Sequence, residues 1–283
     1  MTIRRRPRAT TRHIALDALS LSDNLTGAQE RGLVRKRVHF PYLHAVPRRE
    51  ESNFRALVAA LAEDHTFIGY SEAIRRVSEG DIDRPYVSFS FDDGFKSNMR
   101  AAGILEEFGA TGMFFVPTGF IGTRTVSQAR EFFGFSEGCN EPAMSWADLE
   151  MLRKHGHEVG NHTHTHRIQA TLSEDESAED IGIAAEQLRD RLGECRHFAW
   201  PYGRFFHFTD YAARAVFNTG HKSCASAERG AHSASGPVEK RDLCVRRDHV
   251  MTSWPLRHNM YFIAKSSRDR ASDGAWPAGW QLR

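Results

Sequence analysis

The sequence predicts an α/β fold in which parallel strands form a barrel, and three observations support this. The chain has 283 residues, 40% of them apolar, which is enough for one large core. Short β-rich runs alternate with segments of helical periodicity. Polar clusters repeatedly follow the predicted strands. Because barrels of parallel strands carry their chemistry at the carboxyl ends of the strands, we expect the functional site there.

The clearest strand–helix–strand unit surrounds a pair of acids. The run 86–91 is rich in β-forming residues and ends directly at Asp92 and Asp93. Residues 98–108 repeat apolar side chains at helical spacing, and a second strand is predicted at 111–116. The connections are short, which predicts parallel pairing with a right-handed crossover.

The same alternation continues along the chain. Ser173 with Glu176 three residues later forms a capping box, the sequence signature of a helix start. Further helices are predicted at 51–62, 146–155, 173–192 and 211–217, and further strands at 157–160 and 197–200.

The chain ends lie outside this alternation. Residues 1–32 are predicted to be a basic, flexible N-terminal arm, because five arginines occur before residue 13 and no acid occurs before Asp17. Residues 33–265 are predicted to form a single domain, and residues 266–283 a C-terminal tail.

Composition limits the classes of partner. A net charge of +2 without a basic stripe argues against nucleic acid. No apolar stretch approaches the roughly 20 residues that span a bilayer, and no apolar segment of a signal peptide follows the arginine-rich start. The four cysteines lack a C-x-x-C pair, which favours free thiols in a reducing compartment. We therefore expect a cytoplasmic protein.

Asp92 and Asp93 suggest a division of labour between two carboxylates. Successive side chains of a strand point to opposite faces, so the pair needs a bend to serve one site. Gly94 permits that bend. One acid would then ligate a metal, and the other would accept a proton as a base. For the motif taken alone, a simple Asp-Asp-Gly turn is the alternative.

Three histidines follow another predicted strand within five residues. His162 and His166 match one face of a helical turn, whereas His162 and His164 match one face of a strand. Either pair would suit zinc, and the spacing does not decide between them.

Taken in order, the segments SFSFDDGF, GNHTHTH and FAWPYG resemble the first three motifs of the polysaccharide deacetylases, the carbohydrate esterases with NodB homology. This resemblance implies a distorted barrel of about seven β/α units. It implies that Asp93, His162 and His166 ligate a divalent metal, with Zn²⁺ favoured over Co²⁺, Ni²⁺ or Mn²⁺. Asp92 would be the catalytic base, and His164 would lie outside the ligand set.

The resemblance also implies the reaction, which is hydrolysis of an N-acetyl group on an amino sugar with release of acetate. The backbone N–H of Tyr202, next to Pro201, would stabilise the oxyanion. Because no export signal is visible, we expect a nucleotide-linked or lipid-linked sugar as substrate. The arginine-rich start and the pair Arg246 and Arg247 would suit its phosphate.

Two positions depart from the family pattern. Ala199 stands where many members have an arginine that braces the base, and we predict that Arg247 replaces it by a bidentate clamp. The acid that protonates the departing amine is ambiguous. Leu256-Arg257-His258 matches the letters of the late family motif but follows no strand, so we select His249 and keep His258 as the alternative. A catalytically impaired, carbohydrate-binding or regulatory relic is the alternative function.

Overall fold

The computed structural model describes residues 7–134, 141–233, 243–272, 274–280 and 282. Within these ranges the helices are α1 Pro7–Leu25, α2 Ala28–Leu33, α3 Glu51–Ala62, α4 Tyr70–Glu79, α5 Asn98–Glu107, α6 Val126–Phe133, α7 Trp146–Lys154, α8 Glu174–Leu192, α9 Asp210–Asn218 and α10 Leu256–Asp269. The strands are β1 Val38–His39, β2 Pro41–Leu43, β3 Thr66–Phe67, β4 Tyr86–Val87, β5 Phe89–Phe91, β6 Gly112–Val116, β7 Glu158–Asn161, β8 His197–Ala199, β9 Ser223–Ala225, β10 Ala231–His232, β11 Cys244–Val245, β12 Asp248–His249 and β13 Ala271–Ser272.

Eight of these strands form one parallel sheet that curls into a half-barrel. Their order is β11, β9, β8, β7, β6, β5, β2 and β12, and all pairings are parallel. The predicted parallel α/β barrel is thereby confirmed, with eight strands where about seven were expected. The edge strands β11 and β12 are joined in the chain by Arg246 and Arg247, so this dipeptide crosses the seam of the barrel.

A second sheet of five strands adjoins the first. Its order is β13, β10, β1, β4 and β3. The strands β1 and β4 lead into β2 and β5 after one residue each, so the predicted strand at 86–91 is interrupted only at Ser88.

The core has an inner and an outer part. On β6, Phe114 packs among side chains of the surrounding helices α3, α5 and α7. Its neighbours Met113 and Phe115 belong to an inner cluster that includes Tyr70 and Ile74 of α4. The opposite faces of one strand therefore supply both parts, as the alternation of side chains requires. Helix α4, which the sequence did not predict, fills the inner part.

Several predicted helix boundaries agree with local hydrogen bonds. The capping box of Ser173 and Glu176 is present at the start of α8, and Ser145 with Asp148 forms another at α7. Helix α5 is followed by Gly109, whose φ of 66° is the left-handed conformation that glycine adopts readily.

The N-terminal segment differs from the predicted flexible arm. Residues 7–33 form α1 and α2, which pack on α10 and bury Leu16 and Leu33. Asp17 and Asp23 of α1 form ion pairs with Arg257 and Arg268 of α10. The partner surface lies more than two hundred residues away, which explains why the local sequence resembled a free arm.

The C-terminal segment also differs from the predicted tail. Helix α10 runs to Asp269, and β13 pairs with β10. Beyond it, Trp276 stacks on Trp200 with ring centroids 5.9 Å apart, and Trp280 stacks on Trp276 at 5.1 Å. These aromatic contacts join the segment to the domain. In the described part of the chain, no helix has the length and apolarity needed to cross a membrane.

Candidate active site

A cavity of about 770 Å³ opens at the carboxyl ends of the parallel strands. It is lined by six of the residues singled out from the sequence, namely Asp92, Asp93, His162, His166, Tyr202 and His249. Pro201 is buried in the turn before Tyr202. Arg247 is buried behind the cavity wall, where it contacts two lining residues: it bonds Asp92, and its guanidinium carbon lies 4.5 Å from the centre of the Tyr42 ring.

Arg247 clamps Asp92 in the geometry expected of a brace. The two terminal guanidinium nitrogens donate to Asp92 Oδ1 at 2.7 Å and to Oδ2 at 2.8 Å. Two further donors are used as well, because Nε donates to the Ser226 carbonyl at 2.9 Å and Nη1 also reaches Ser90 Oγ at 3.2 Å. Both charged groups are buried, so each compensates the other's loss of hydration.

This contact keeps Asp92 ionised. Burial by itself raises the pKa of Asp92, but the charges of Arg247 and His162 outweigh it and hold the pKa below its ordinary value. Small side chains make room for the guanidinium, since Ala199 and Ala225 face the same interior on neighbouring strands. The arginine missing at position 199 is thus supplied from the barrel seam.

Asp93 gathers two histidines on the other side of the dipeptide. Its Oδ1 lies 3.4 Å from His162 Nε2 and 3.1 Å from His166 Nε2. One ligand atom from each of these three buried residues lies within 4.8 Å of the others. His164 is not in this group, and its Nδ1 lies 2.9 Å from Thr118 Oγ1.

The protonation of His162 shows that these residues fit a cation. His162 Nδ1 lies 2.7 Å from the Ala199 carbonyl oxygen, which can only accept, so Nδ1 carries the hydrogen. In the neutral imidazole, the lone pair on Nε2 then faces a carboxylate oxygen of Asp93. Two acceptors facing each other are satisfied by a positive charge between them. Zinc and similar ions take this combination of imidazole nitrogen and carboxylate oxygen, with the outer imidazole nitrogen bonded to a carbonyl.

Two of the three pKa shifts in this cluster favour positive charge beside Asp93, whereas burial lowers the pKa of His166 and favours its neutral, metal-ligating form. Burial lowers the pKa of His162, yet the nearby carboxylates of Asp93 and Asp92 outweigh it and raise the pKa. The pKa of Asp93 is held well below its ordinary value despite burial, because His162 and His166 bond to it. The cluster therefore favours positive charge beside Asp93.

The histidine loop is held from beneath by two polar side chains. Asp180 of α8 accepts from the backbone N–H of Thr165 at 2.8 Å through Oδ1, and from Gln169 Nε2 at 2.9 Å through Oδ2. Asn161 accepts from the Thr163 N–H at 2.7 Å. Sequence reasoning missed both residues. An acid on a helix surface and an asparagine at a strand end become informative only when the loop lies over them.

Strained backbone is concentrated at this site. Among the described residues, the non-glycine positions with positive φ are Asp93 (72°), Thr163 (68°), His166 (56°) and Tyr202 (63°). All four belong to the three sequence motifs. Strain of this kind persists where the surrounding structure enforces it, commonly at functional sites. The bend expected at Gly94 begins one residue earlier, at Asp93, and turns its carboxylate away from that of Asp92.

His249 and an unpredicted histidine share the opposite wall. The ring of His249 stacks on Tyr42 at 4.9 Å and lies edge-on to the ring of His44 at 5.2 Å. Burial, with a contribution from His44, lowers the pKa of His249 to about 3. His44 directly follows β2 and lines the cavity. The strand before His44, β2, has only three residues and begins with proline, so the sequence did not indicate a strand end at this histidine.

The alternative proton donor, His258, lies elsewhere. It is buried near the start of α10, where its Nε2 lies 2.6 Å from Asp17 Oδ1 and its ring stacks on His13 at 5.3 Å. It does not line the cavity. The match of Leu256-Arg257-His258 to the late family motif is therefore wrong in structural terms, because these residues begin a helix and do not follow a strand.

Fold and site together define a half-barrel hydrolase with acids and histidines at the strand ends. Comparison with known proteins supports this class of protein. The family model for polysaccharide deacetylase matches residues 79–223, about half of the chain. A search of curated proteins finds no match.

Three solved structures illustrate the fold. IcaB from Ammonifex degensii is 24% identical with a TM-score of 0.64, and the match covers 81% of this chain and 98% of IcaB. The deacetylase PplD from Streptococcus pyogenes is 16% identical with a TM-score of 0.63, covering 80% of this chain and 98% of PplD. The polysaccharide deacetylase BC0361 from Bacillus cereus is 16% identical with a TM-score of 0.62, covering 81% and 69%.

The chain belongs to the polysaccharide deacetylase family, whose members are hydrolases acting on carbon–nitrogen bonds other than peptide bonds. The resemblance seen in the three sequence motifs is thereby confirmed.

The Arg247–Asp92 pair can be tested through stability. Arg247→Met should lower the free energy of unfolding by about 3–5 kcal/mol, because it leaves Asp92 buried without its counter-charge. Adding Asp92→Asn should recover part of that loss, since no unpaired charge then remains. Urea denaturation at neutral pH measures both effects, and Arg246→Met is the neighbouring control with a small expected effect.

The same pair predicts a dependence on pH. The pKa of Asp92 is lowered in the folded state, so its stabilisation is complete above the ordinary carboxyl pKa of about 3.9 and is lost as pH falls through the lower folded value. Arg247→Met should remove this part of the acid dependence. Equal stability of wild type and Arg247→Met at neutral pH would contradict the assignment.

Proposed function

We propose that this protein is a metal-dependent N-deacetylase that hydrolyses the acetamide of an amino sugar in a carbohydrate or glycan precursor and releases acetate. The observation that carries the proposal is the side-by-side arrangement of a clamped carboxylate, Asp92, and a cation-binding cluster of Asp93, His162 and His166. Family membership supplies the reaction class.

Each group has a definite task in amide hydrolysis. A divalent ion, most suitably Zn²⁺, with Co²⁺, Ni²⁺ or Mn²⁺ as alternatives, would polarise the acetyl carbonyl and acidify water. Asp92 accepts the proton of the attacking water as its oxygen bonds to the carbonyl carbon. The backbone N–H of Tyr202 would stabilise the developing oxyanion, as the family resemblance implies. The carbon–nitrogen bond then breaks, and the amine leaves after gaining a proton.

Two histidines are candidates to deliver that proton. His249 was selected from the sequence, but a buried imidazole with a pKa near 3 is neutral at pH 7 and is a poor acid. His44 is exposed on the same wall, and its charge acts on both Asp92 and Asp93. We propose that His44 delivers the proton and that His249 orients it.

The alternative function, a catalytically impaired relic, has lost the two observations that supported it. It rested on Ala199 and on the doubtful late motif. The guanidinium expected at position 199 reaches the base from Arg247 instead, and two histidines line the cavity where a proton donor is needed.

The arginines available to a substrate phosphate are not the ones expected from the sequence. Arg247 is buried against Asp92 and is not available to a substrate. Arg49 and Arg204 line the cavity instead, and their side chains are 81% and 48% exposed. They support our proposal of a nucleotide-linked or lipid-linked amino sugar in the cytoplasm, although each also pairs with a neighbouring glutamate.

An aromatic rim would suit the sugar itself. Tyr202 lines the cavity and is 44% exposed, its ring lies 5.5 Å from that of His207, and His207 contacts Phe206 at 4.2 Å. Phe206 is 75% exposed. A large exposed aromatic ring beside a cavity offers an apolar face to a second sugar ring.

Metal dependence and the base can be separated by two variants. His162→Ala should lose both bound metal and acetate release, since it removes a ligand. Asp92→Asn should keep the metal and lose at least about 10²-fold in kcat, since it removes the base. Metal content by atomic emission and acetate release measure the two effects. His164→Ala is the matched control and should keep its metal, whereas a fully active, metal-free wild type would refute the proposal.

The proton donor is tested by His44→Asn and His249→Asn. We expect His44→Asn to lower kcat by about 10²-fold, with the acetamide substrate more affected than an activated acetate ester whose leaving group needs no proton. His249→Asn should have the smaller effect. The reverse order of losses would assign the proton to His249, and neither variant should lose metal.

Phe206→Ala tests the sugar platform. KM for an acetylated oligosaccharide should rise by about fivefold to tenfold, while kcat and the KM for a single acetylated sugar stay unchanged. Phe206→Tyr keeps the ring and should retain the wild-type KM. Equal effects on the single sugar and the oligosaccharide would argue against the platform.

A further inference from the structure

Exposed apolar side chains are concentrated on α1. Among the described residues, nine large apolar side chains are exposed, and four of them lie on this helix. They are Ile14 at 64%, Leu19 at 48%, Leu21 at 60% and Leu25 at 80% exposure. Single exposed leucines are ordinary on a protein surface, whereas a cluster on one element indicates an interaction surface.

The cluster forms a stripe with helical spacing. Ile14, Ala18, Leu21 and Leu25 follow each other at intervals of four, three and four residues, and all four are exposed. Leu16, on the other side of the helix, is buried in the contact with α10. Helix α1 therefore packs on α10 through one side, and the apolar stripe on its other side is uncovered by the described residues.

The outer stripe has no negative charge of its own. Asp17 and Asp23 are the only acids before residue 25, and they pair with Arg257 and Arg268 of α10. The chain before residue 13 contributes five arginines. A helix whose exposed apolar face follows an arginine-rich sequence is complementary to an anionic lipid surface. A second copy of α1 would bring the same positive charge and no free acid.

This helix also lies near the cavity. The Arg12 guanidinium lies 4.7 Å from the centre of the Trp254 ring, and His13 contacts the same ring at 5.9 Å. Trp254 directly follows Thr252 and Ser253, which line the cavity. A surface that receives α1 would therefore lie close to the cavity opening.

We propose that α1 docks this protein on an anionic lipid surface, with its outer stripe in the headgroup boundary and with the positive charge of the arginine-rich sequence adding electrostatic attraction. The helix has 19 residues, which corresponds to a contact about 28 Å long. This inference does not depend on the reaction catalysed in the cavity. It does, however, bring the cavity to the place where a lipid-linked substrate would be found.

The test is sedimentation of the full chain with vesicles. Vesicles of phosphatidylcholine with about one third phosphatidylglycerol should bind the protein, and binding should weaken with added salt and be far lower on phosphatidylcholine alone. The double variant Leu21→Gln with Leu25→Gln should lower the partition coefficient by at least about tenfold without changing net charge. Met151→Gln, at an apolar residue of α7 that is 49% exposed, is the control and should bind as wild type.

Folding and activity are checked separately. Because the two leucines are exposed, the thermal midpoint of the double variant should equal that of wild type, and its turnover of a free acetylated sugar should be unchanged. Absence of anionic-vesicle binding by wild type would overturn the inference. So would equal vesicle binding by the double variant, or a wild-type dimer that the double variant dissociates in the absence of lipid.

Discussion

The buried ion pair between Arg247 and Asp92 is the contact on which this site depends. The parallel sheet is open between β11 and β12, and the dipeptide Arg246-Arg247 crosses that seam. A guanidinium that enters a barrel interior at this point requires an anion, because an unpaired buried charge is costly. Asp92 at the end of β5 is that anion. The same ion pair therefore joins the barrel edges and keeps Asp92 ionised.

The neighbouring carboxylate is held in a different environment by backbone strain. Asp93 adopts a φ of 72°, and Gly94 follows with 71°, so the chain turns sharply after the strand. This turn directs one carboxylate to the seam arginine and the next to the histidines that follow β7. On the other side, Asp180 and Asn161 bond the loop that carries those histidines, which also contains left-handed residues. Polar contacts from beneath hold the strained loop, and the strain brings the ligand atoms together.

Sequence predicted those parts of the molecule whose signals are local. The strand that ends in two acids and the capping box of α8 depend on neighbours in the chain, whereas the choice of His166 over His164 came from the family resemblance. Arg247 was predicted because the family resemblance requires a guanidinium brace that Ala199 does not supply, and the structure places it on Asp92.

The missed parts depend on distant contacts. Helix α4 owes its place to the barrel interior, and α1 owes its place to α10. His44 follows a strand of only three residues, and Asp180 is informative only beneath a folded loop. His258 shows the opposite error, since letters that match a motif lie at the start of a helix, where they cannot follow a strand.

The Arg247–Asp92 pair and the cluster of Asp93, His162 and His166 depend on each other chemically. A carboxylate whose pKa is lowered by a bidentate guanidinium is a weaker base than a free one. Asp92 alone is therefore poorly matched to bulk water, whose pKa is about 15.7. The difference in pKa between Asp92 and the water becomes smaller if the water is acidified next to Asp92. The cluster of Asp93, His162 and His166 favours positive charge at that position. The arginine that stabilises the barrel thus makes the base dependent on a neighbouring cation, which is the physical reason to expect both in one site.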